Sequence, residues 1–172
     1  QPPRTKVIAI AKRRNYAIEE IDQQKPIVFL EKPRDLENIG AVIRVAAASD
    51  VAAVIANGAV DIWHPAIIRG AAGLHYAVPC FSDFKSDTLE TLQMLPNTQK
   101  RQSYALDADD TRAQLFDKKH IAHNAVLVFG SERAGISKGV LDRADHIVKL
   151  PMRTGVSSLN LATSVAATLY MM

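Results

Sequence analysis

The stretch Ala125-Val126-Leu127-Val128-Phe129-Gly130-Ser131-Glu132-Arg133-Ala134-Gly135 decides the fold. Its first five residues are all apolar and rich in β-branched and aromatic side chains. That run is too short for a helix and reads as a strand buried on both faces, ended by glycines that turn the chain. The pattern recurs at Ile27-Val28-Phe29-Leu30, Val51 to Ala56, Ser103 to Leu106 and His146 to Leu150, with a helix-length segment after most runs. Continuous rather than alternating apolarity predicts an α/β fold, a largely parallel sheet with helices on both faces. Helices are expected over Ile39 to Ala48, Pro65 to Ala72, Thr88 to Leu95 and Ser158 to Tyr170. The last carries Leu159, Ala162, Ala166 and Leu169 as its apolar stripe, with Ser157 or Ser158 as its N-cap.

Composition agrees with one globular domain. The chain has 172 residues, of which 48% are hydrophobic and 23% charged, enough apolar surface for a core without disulfides or a structural metal. A single cysteine, Cys80, excludes an internal disulfide and multi-cysteine metal sites, and fits a reducing compartment. No apolar stretch reaches the roughly 18 residues of a membrane span, so the expected location is the cytoplasm. The sequence starts at Gln1 and stops within an apolar helical pattern, which fits either a complete domain or a fragment of a longer chain.

Charge is unevenly spread. Residues 1–25 hold six basic side chains, Arg4, Lys6, Lys12, Arg13, Arg14 and Lys25, against three acidic ones, while residues 26–172 hold fifteen of each. The whole excess of +3 therefore lies on an N-terminal arm that could meet a polyanion, or simply be a solvated end. Residues 26–172 form the expected domain. Neither Gly-x-Gly-x-x-Gly after the first strand nor Gly-x-x-x-x-Gly-Lys-Ser/Thr occurs, which argues against a nicotinamide enzyme and a P-loop ATPase. A Gly-x-Ser-x-Gly elbow is absent too.

Ligands of open α/β sheets bind at the carboxyl ends of strands, which singles out three segments. In Glu37-Asn38-Ile39-Gly40-Ala41-Val42-Ile43-Arg44, Asn38 reads as a helix cap, and Arg44 is a charge in an apolar run that must be paired or face a ligand. After the decisive strand, Gly130 and Gly135 flank Glu132 and permit close backbone approach to a ligand; a plain turn with Ser137 capping the next helix fits equally well. Pro151-Met152-Arg153-Thr154-Gly155-Val156-Ser157-Ser158-Leu159-Asn160 runs into a helix N-terminus, whose free N–H groups can hold an electron-rich ligand or merely be capped.

Asn-x-Gly-x-x-x-Arg early, Gly-Ser-Glu-x-x-Gly after a late strand and Pro-Met followed by Ser-Leu-Asn at the last helix resemble, in this order, the three motifs of the SPOUT methyltransferases. Specifically, they resemble those of the SpoU/TrmH family of RNA ribose 2′-O-methyltransferases. The resemblance spans roughly residues 26 to 172. It implies a C-terminal trefoil knot, S-adenosylmethionine as methyl donor, a homodimer with its RNA site across the interface, and no metal. By the same analogy Leu106, Gly130, Ile136, Leu150, Ser158 and Leu159 surround the cofactor. Arg44 is the principal catalytic residue, with Asn38, Glu132, Ser158 and Asn160. Because guanidinium does not deprotonate in proteins, Arg44 is expected to clamp phosphate and the developing oxyanion rather than act as base.

One departure is Thr154 before Gly155, where many members carry glycine, and it bears on cofactor affinity. The stretch from His64 to Gly73 is similar to an Arg-x-x-x-Gly segment of members that modify ribosomal RNA, which makes Arg69 an RNA-contact candidate beside Arg13 and Arg14 of the arm. Trp63 and Tyr76 read either as core or as base-stacking platforms. Asp107, Asp109 and Asp110 are expected to form a solvated turn, and His120 and His123 are too few for a metal site. The competing readings are an RNA-binding or assembly protein that keeps the fold without catalysis, and a knotted enzyme that methylates a base nitrogen.

Overall fold

The computed structural model describes residues 10–82, 84, 86–96 and 101–172. Seven strands form one sheet: β1 (Ile27–Glu31), β2 (Ala53–Asn57), β3 (Cys80–Phe81), β4 (Ser103–Leu106), β5 (Gln114–Leu115), β6 (Val126–Phe129) and β7 (His146–Lys149). Their order is β3-β2-β1-β6-β4-β7-β5, and all six pairings are parallel. All five expected strands are present. The two that sequence reading missed, β3 and β5, are two-residue edge strands, too short to show periodicity.

Both faces of the sheet are buried, as the unbroken apolar runs require. Val28 and Leu30 of β1 and Leu127 and Phe129 of β6 point into one cluster with Ile39, Val42, Ile43 and Val165. Ile27, Phe29, Val126 and Val128 point the other way, against Ile21, Leu95, Ile136 and Val140. The helices are α1 (Leu36–Ala48), α2 (Pro65–Gly70), α3 (Thr88–Gln93), α4 (Lys138–Leu141) and α5 (Leu161–Met171). Among the described residues no helix is long and apolar enough to cross a membrane.

Helix starts differ from expectation. Asp35, not Asn38, caps α1, its carboxylate accepting from the N–H groups of Glu37 and Asn38. Asn160, not Ser157 or Ser158, caps α5 through the N–H groups of Ala162 and Thr163, and the buried stripe is Leu161, Val165 and Thr168. Starting three residues later rotates the face, which leaves Leu159 outside the helix and 40% exposed. Ser137 holds the N-cap position of α4, but its hydroxyl donates to the buried carboxylate of Glu31 (2.8 Å) instead of capping.

The part of the arm that is described packs on the domain. Ile21 is buried, Lys25 pairs with Asp50 at 2.9 Å, and the guanidinium of buried Arg101 donates to the carbonyls of Asp22, Lys25, Asn124 and Pro96. Arg4 and Lys6 lie outside the described residues.

Two packing details generate tests. At the α1–α2 crossing a Cβ on Gly40 would sit 2.6 Å from the Ile67 carbonyl oxygen and 2.8 Å from Gly70 Cα. Gly40→Ala is therefore expected to destabilise the protein by about 1–3 kcal/mol in urea denaturation; unchanged stability would show that the helices can separate freely. His75 is fully buried, its Nε2–H donating to the Ile62 carbonyl (2.8 Å) while Nδ1 has no partner. Burial holds its imidazole below the ordinary value of 6.5, against the smaller opposing pull of the Ile62 carbonyl. The unfolded chain thus takes up a proton near 6.5 that the folded chain refuses, so this residue's effect is absent above that pH and destabilising below it. Melting temperature is expected to fall more steeply between pH 6.5 and 5 in the wild type than in His75→Phe. Identical slopes would exclude His75 as the cause.

Candidate functional site

Parallel register brings the strand ends into one row, with Leu30 beside Ala56 and Phe129, and Leu106 beside Phe129 and Val148. Every strand-to-helix loop therefore leaves from the same edge. The segment after β7 has the longest route, because β7 lies between β4 and β5 while α5 packs against α1, which follows β1. Residues 150–160 must cross the ends of β4 and β6 to make that connection. Between this crossing segment and the loops after β4 and β6 is a cavity of about 610 Å³.

The cavity is lined by residues of all three sequence motifs: Asn38; Gly130 and Glu132; Leu150, Ser158, Leu159 and Asn160, together with Leu106. Polar side chains bind the three segments to one another. The Glu132 carboxylate accepts from the backbone N–H groups of Arg34 and Asp35, both at 3.2 Å, and from Asn38 Nδ2 at 3.4 Å. Asn38 Oδ1 accepts from Asn160 Nδ2 at 2.8 Å, and Asn160 Oδ1 in turn caps α5. The polarity of this relay is fixed at both ends, since a carboxylate can only accept and a helix N-terminus can only donate.

Gly130, besides lining the cavity, is packed against its own loop. A Cβ there would lie 2.1 Å from the Gly135 carbonyl carbon, so what approaches closely is the chain itself. Ser131 and Gly135 exchange backbone hydrogen bonds of 3.1 and 3.0 Å, which folds the loop back on Gly130. Ile136 is buried in the core below this loop and does not line the cavity.

Four arginine candidates lie elsewhere. Arg44 is exposed on α1, off the cavity wall, and has no hydrogen bond or ion pair among the described residues. Arg69 is exposed in the last turn of α2. Arg13 lies over the Trp63 ring and Arg14 over the Tyr16 ring.

Sequence reading passed over Asp35 and Lys149 and took Asp107 and Asp109 only for a solvated turn, yet all four line the cavity. Asp107 directly follows β4, so the strand-end rule that found Gly130 would have found it. The aspartate cluster is an ordered turn, with Asp107 Oδ1 accepting from the N–H groups of Asp109 and Asp110, both at 2.9 Å. Hydrogen bonds from Arg112 hold the Asp110 carboxyl down at about 2. No cluster of metal-ligating side chains occurs among the described residues. Burial pushes the Cys80 thiol up to about 12, which leaves it inert as a nucleophile.

Comparison with known proteins gives one consistent result. The model of the SpoU rRNA Methylase family matches residues 25–170. A tRNA/rRNA methyltransferase of uncharacterized activity from Synechocystis is 31% identical over 145 residues, 83% of this chain and 51% of that protein. A 23S rRNA (guanosine-2′-O-)-methyltransferase from Bordetella pertussis is 27% identical over 172 residues, covering 95% of this chain and 68% of the relative. The crystal structure of the SpoU methyltransferase AviRb from Streptomyces viridochromogenes superposes with a TM-score of 0.76 at 24% identity, over 89% of this chain and 60% of that one. AviRb has also been crystallised in complex with the cofactor AdoMet. The chain thus spans about half the length of the first of these relatives.

The relay predicts its own weak point. Asn38→Asp changes no volume but turns the donor facing Glu132 into an acceptor. It is expected to lower stability by about 1 kcal/mol in chemical denaturation. An effect no larger than that of a surface Asn→Asp control would show that the relay is not formed in solution.

Proposed function

We propose that this chain, which belongs to the SpoU rRNA methylase family, is the catalytic domain of an S-adenosylmethionine-dependent RNA methyltransferase acting on a ribose 2′-hydroxyl. The observation that carries this reading is the convergence of three segments, remote in sequence, on one cavity whose volume suits a small-molecule ligand. Its lining fits the donor. Leu106, Phe129 and Leu150 offer apolar surface for a flat heterocycle, while Asp107, Asp109 and Lys149 supply charges for hydroxyl, ammonium and carboxylate groups. When bound, S-adenosylmethionine supplies an electrophilic methyl group.

The chain's own residues hold and orient. The fold-back of Gly135 on Gly130 keeps the loop rigid, and Glu132 fixes the amide of Asn38, which fixes that of Asn160. Asn38 and Asn160 thereby offer pre-aimed polar groups to a ribose, with the Ser158 side chain on the same cavity wall, the kind of positioning that a weak hydroxyl nucleophile needs. Glu132, with three N–H donors on its carboxylate, serves as an anchor rather than a base.

Arg44 is unpaired among the described residues of its own chain and away from its own cavity. A homodimer in which Arg44 of a second copy reaches the cavity accounts for that, and also for the exposed apolar residues Val156, Leu159, Tyr170 and Met171 at the C-terminal end. There its guanidinium clamps phosphate and the developing oxyanion. Arg69 contacts the RNA beyond the reacting nucleotide, with ribosomal RNA the preferred class because the Bordetella relative is named for it. The setting is the cytoplasm, residues 1–25 act as a basic arm, and the C-terminal crossing is knotted as the family resemblance implies.

Isothermal calorimetry with S-adenosylmethionine tests the premise, with binding expected at micromolar concentrations. No heat at millimolar donor would favour a non-catalytic RNA-binding protein. Arg44→Ala is expected to reduce methyl transfer by at least about 100-fold while leaving donor binding unchanged. Wild-type turnover in that variant would remove Arg44 from the mechanism.

A further inference from the structure

Outside the cavity, the most unusual grouping of side chains in the described residues joins the arm to the loop after β2. Trp63 lies in that loop, where its backbone N–H donates to the Asp61 carboxylate at 2.9 Å. Its ring packs against buried His75, centroids 5.2 Å apart, and meets Tyr76 edge-on at 5.8 Å. The guanidinium of Arg13 lies over the same ring, 5.7 Å from its centroid. Next in sequence, Arg14 lies 4.6 Å over Tyr16, whose ring has that of Phe81 tilted beside it at 6.4 Å. Two consecutive arginines thus each lie over an aromatic ring that is itself in contact with a second ring.

We propose that Arg13, Arg14, Tyr16, Trp63 and Tyr76 form a stacking platform for an unpaired nucleobase, a second RNA-binding subsite apart from the methyl-transfer cavity. The proposal rests on the reading of the chain as an RNA methyltransferase. Both arginines are exposed and neither has a carboxylate partner among the described residues, so the core does not require them and their charge is not spent within the protein.

A guanidinium held over a ring by cation–π attraction can share that site with a base, and unpaired bases stack on both arginine planes and aromatic faces. A site for phosphate alone would need the charge but not the rings. Tyr76, 41% exposed, extends the apolar face beside Trp63. His75 packs against the tryptophan from the protein interior, which limits the freedom that stacking would otherwise have to remove.

Position supports the same conclusion. The sheet order β2-β1-β6 puts the loop after β2 on the same carboxyl edge as the loop after β6, two strand positions or about 10 Å away. An RNA with one nucleotide in the cavity can therefore lay a neighbouring unpaired base on the platform. Selection of an accessible loop or bulge over a continuous duplex follows, because a paired base has no free face to offer.

Trp63 is the only tryptophan in the chain, so its fluorescence reports on the platform directly. Titration of the full chain with a labelled single-stranded RNA oligonucleotide is expected to quench that emission in step with the rise in RNA anisotropy. A blunt-ended RNA duplex should bind with little quenching. Trp63→Leu is expected to weaken single-strand binding about ten-fold and Trp63→Phe much less.

Arg13→Gln with Arg14→Gln, both on the surface and safe for folding, should weaken it by a similar factor and lower the salt dependence. Calorimetry with S-adenosylmethionine on each variant monitors the integrity of the cavity. RNA binding with silent tryptophan emission, or equal quenching by a polyglutamate peptide, would overturn the platform while leaving the methyltransferase reading intact. Failure of every RNA and of S-adenosylmethionine to bind would overturn both.

Discussion

Asn38 donates to Glu132 on one side and accepts from Asn160 on the other, across 94 and 122 residues of sequence. Both of its partners also have a second engagement with backbone: Glu132 with the N–H groups before α1, Asn160 with those that open α5. Two helix entrances and one strand-to-helix loop are thus locked in a single chain of donors and acceptors. Because every member has its direction set by a neighbour, no amide can turn over without leaving two acceptors or two donors face to face. The shape of the cavity therefore does not depend on a ligand to create it.

Beneath that edge, the sheet makes convergence unavoidable. With every pairing parallel, all the loops that follow the strands emerge together, and the buried carboxylate of Glu31, which accepts from the N–H and hydroxyl of Ser137, fastens the loop after β6 to the end of β1. Arg101 performs a related task at the opposite end. One buried guanidinium gathers carbonyls from residues 22, 25, 96 and 124, which joins the arm, the end of the α3 region and the approach to β6. A charged donor satisfied by several carbonyl oxygens is a strong tie, since neutral acceptors remove the need for a buried counterion.

The strands were legible in the sequence because burial on both faces leaves a mark that depends on a few consecutive residues. Ile27 to Leu30 and Ala125 to Phe129 could not have been read otherwise. The strand-end rule then led to Asn38, Glu132 and Asn160. What it could not reveal was how they are used. Asn38 sits within a helix instead of capping one because Asp35, three residues earlier, takes that role, and the two alternatives have the same local appearance. The preference of Gly130 for the backbone of Gly135 is a contact within one loop that no spacing announces. Arg44 looked like a charge within an apolar face, but helical rotation carries it to solvent. Arg13 and Trp63 meet only because the arm returns to the β2 loop, a long-range event that composition does not record.

The strand order also dictates when this molecule can fold. β1 lies between β2 and β6, and β6 does not exist as a partner until residues 126–129 have been made. β4 must likewise wait for β6 and β7. During synthesis on the ribosome β1 and β2 thus emerge with one hydrogen-bonding edge and much apolar surface uncovered, and stay so until β6 has followed. Pairings this distant in sequence make assembly slow relative to helical proteins of equal size. A nascent chain in that state carries open strand edges and bare apolar surface, the features that make partly folded chains prone to aggregate.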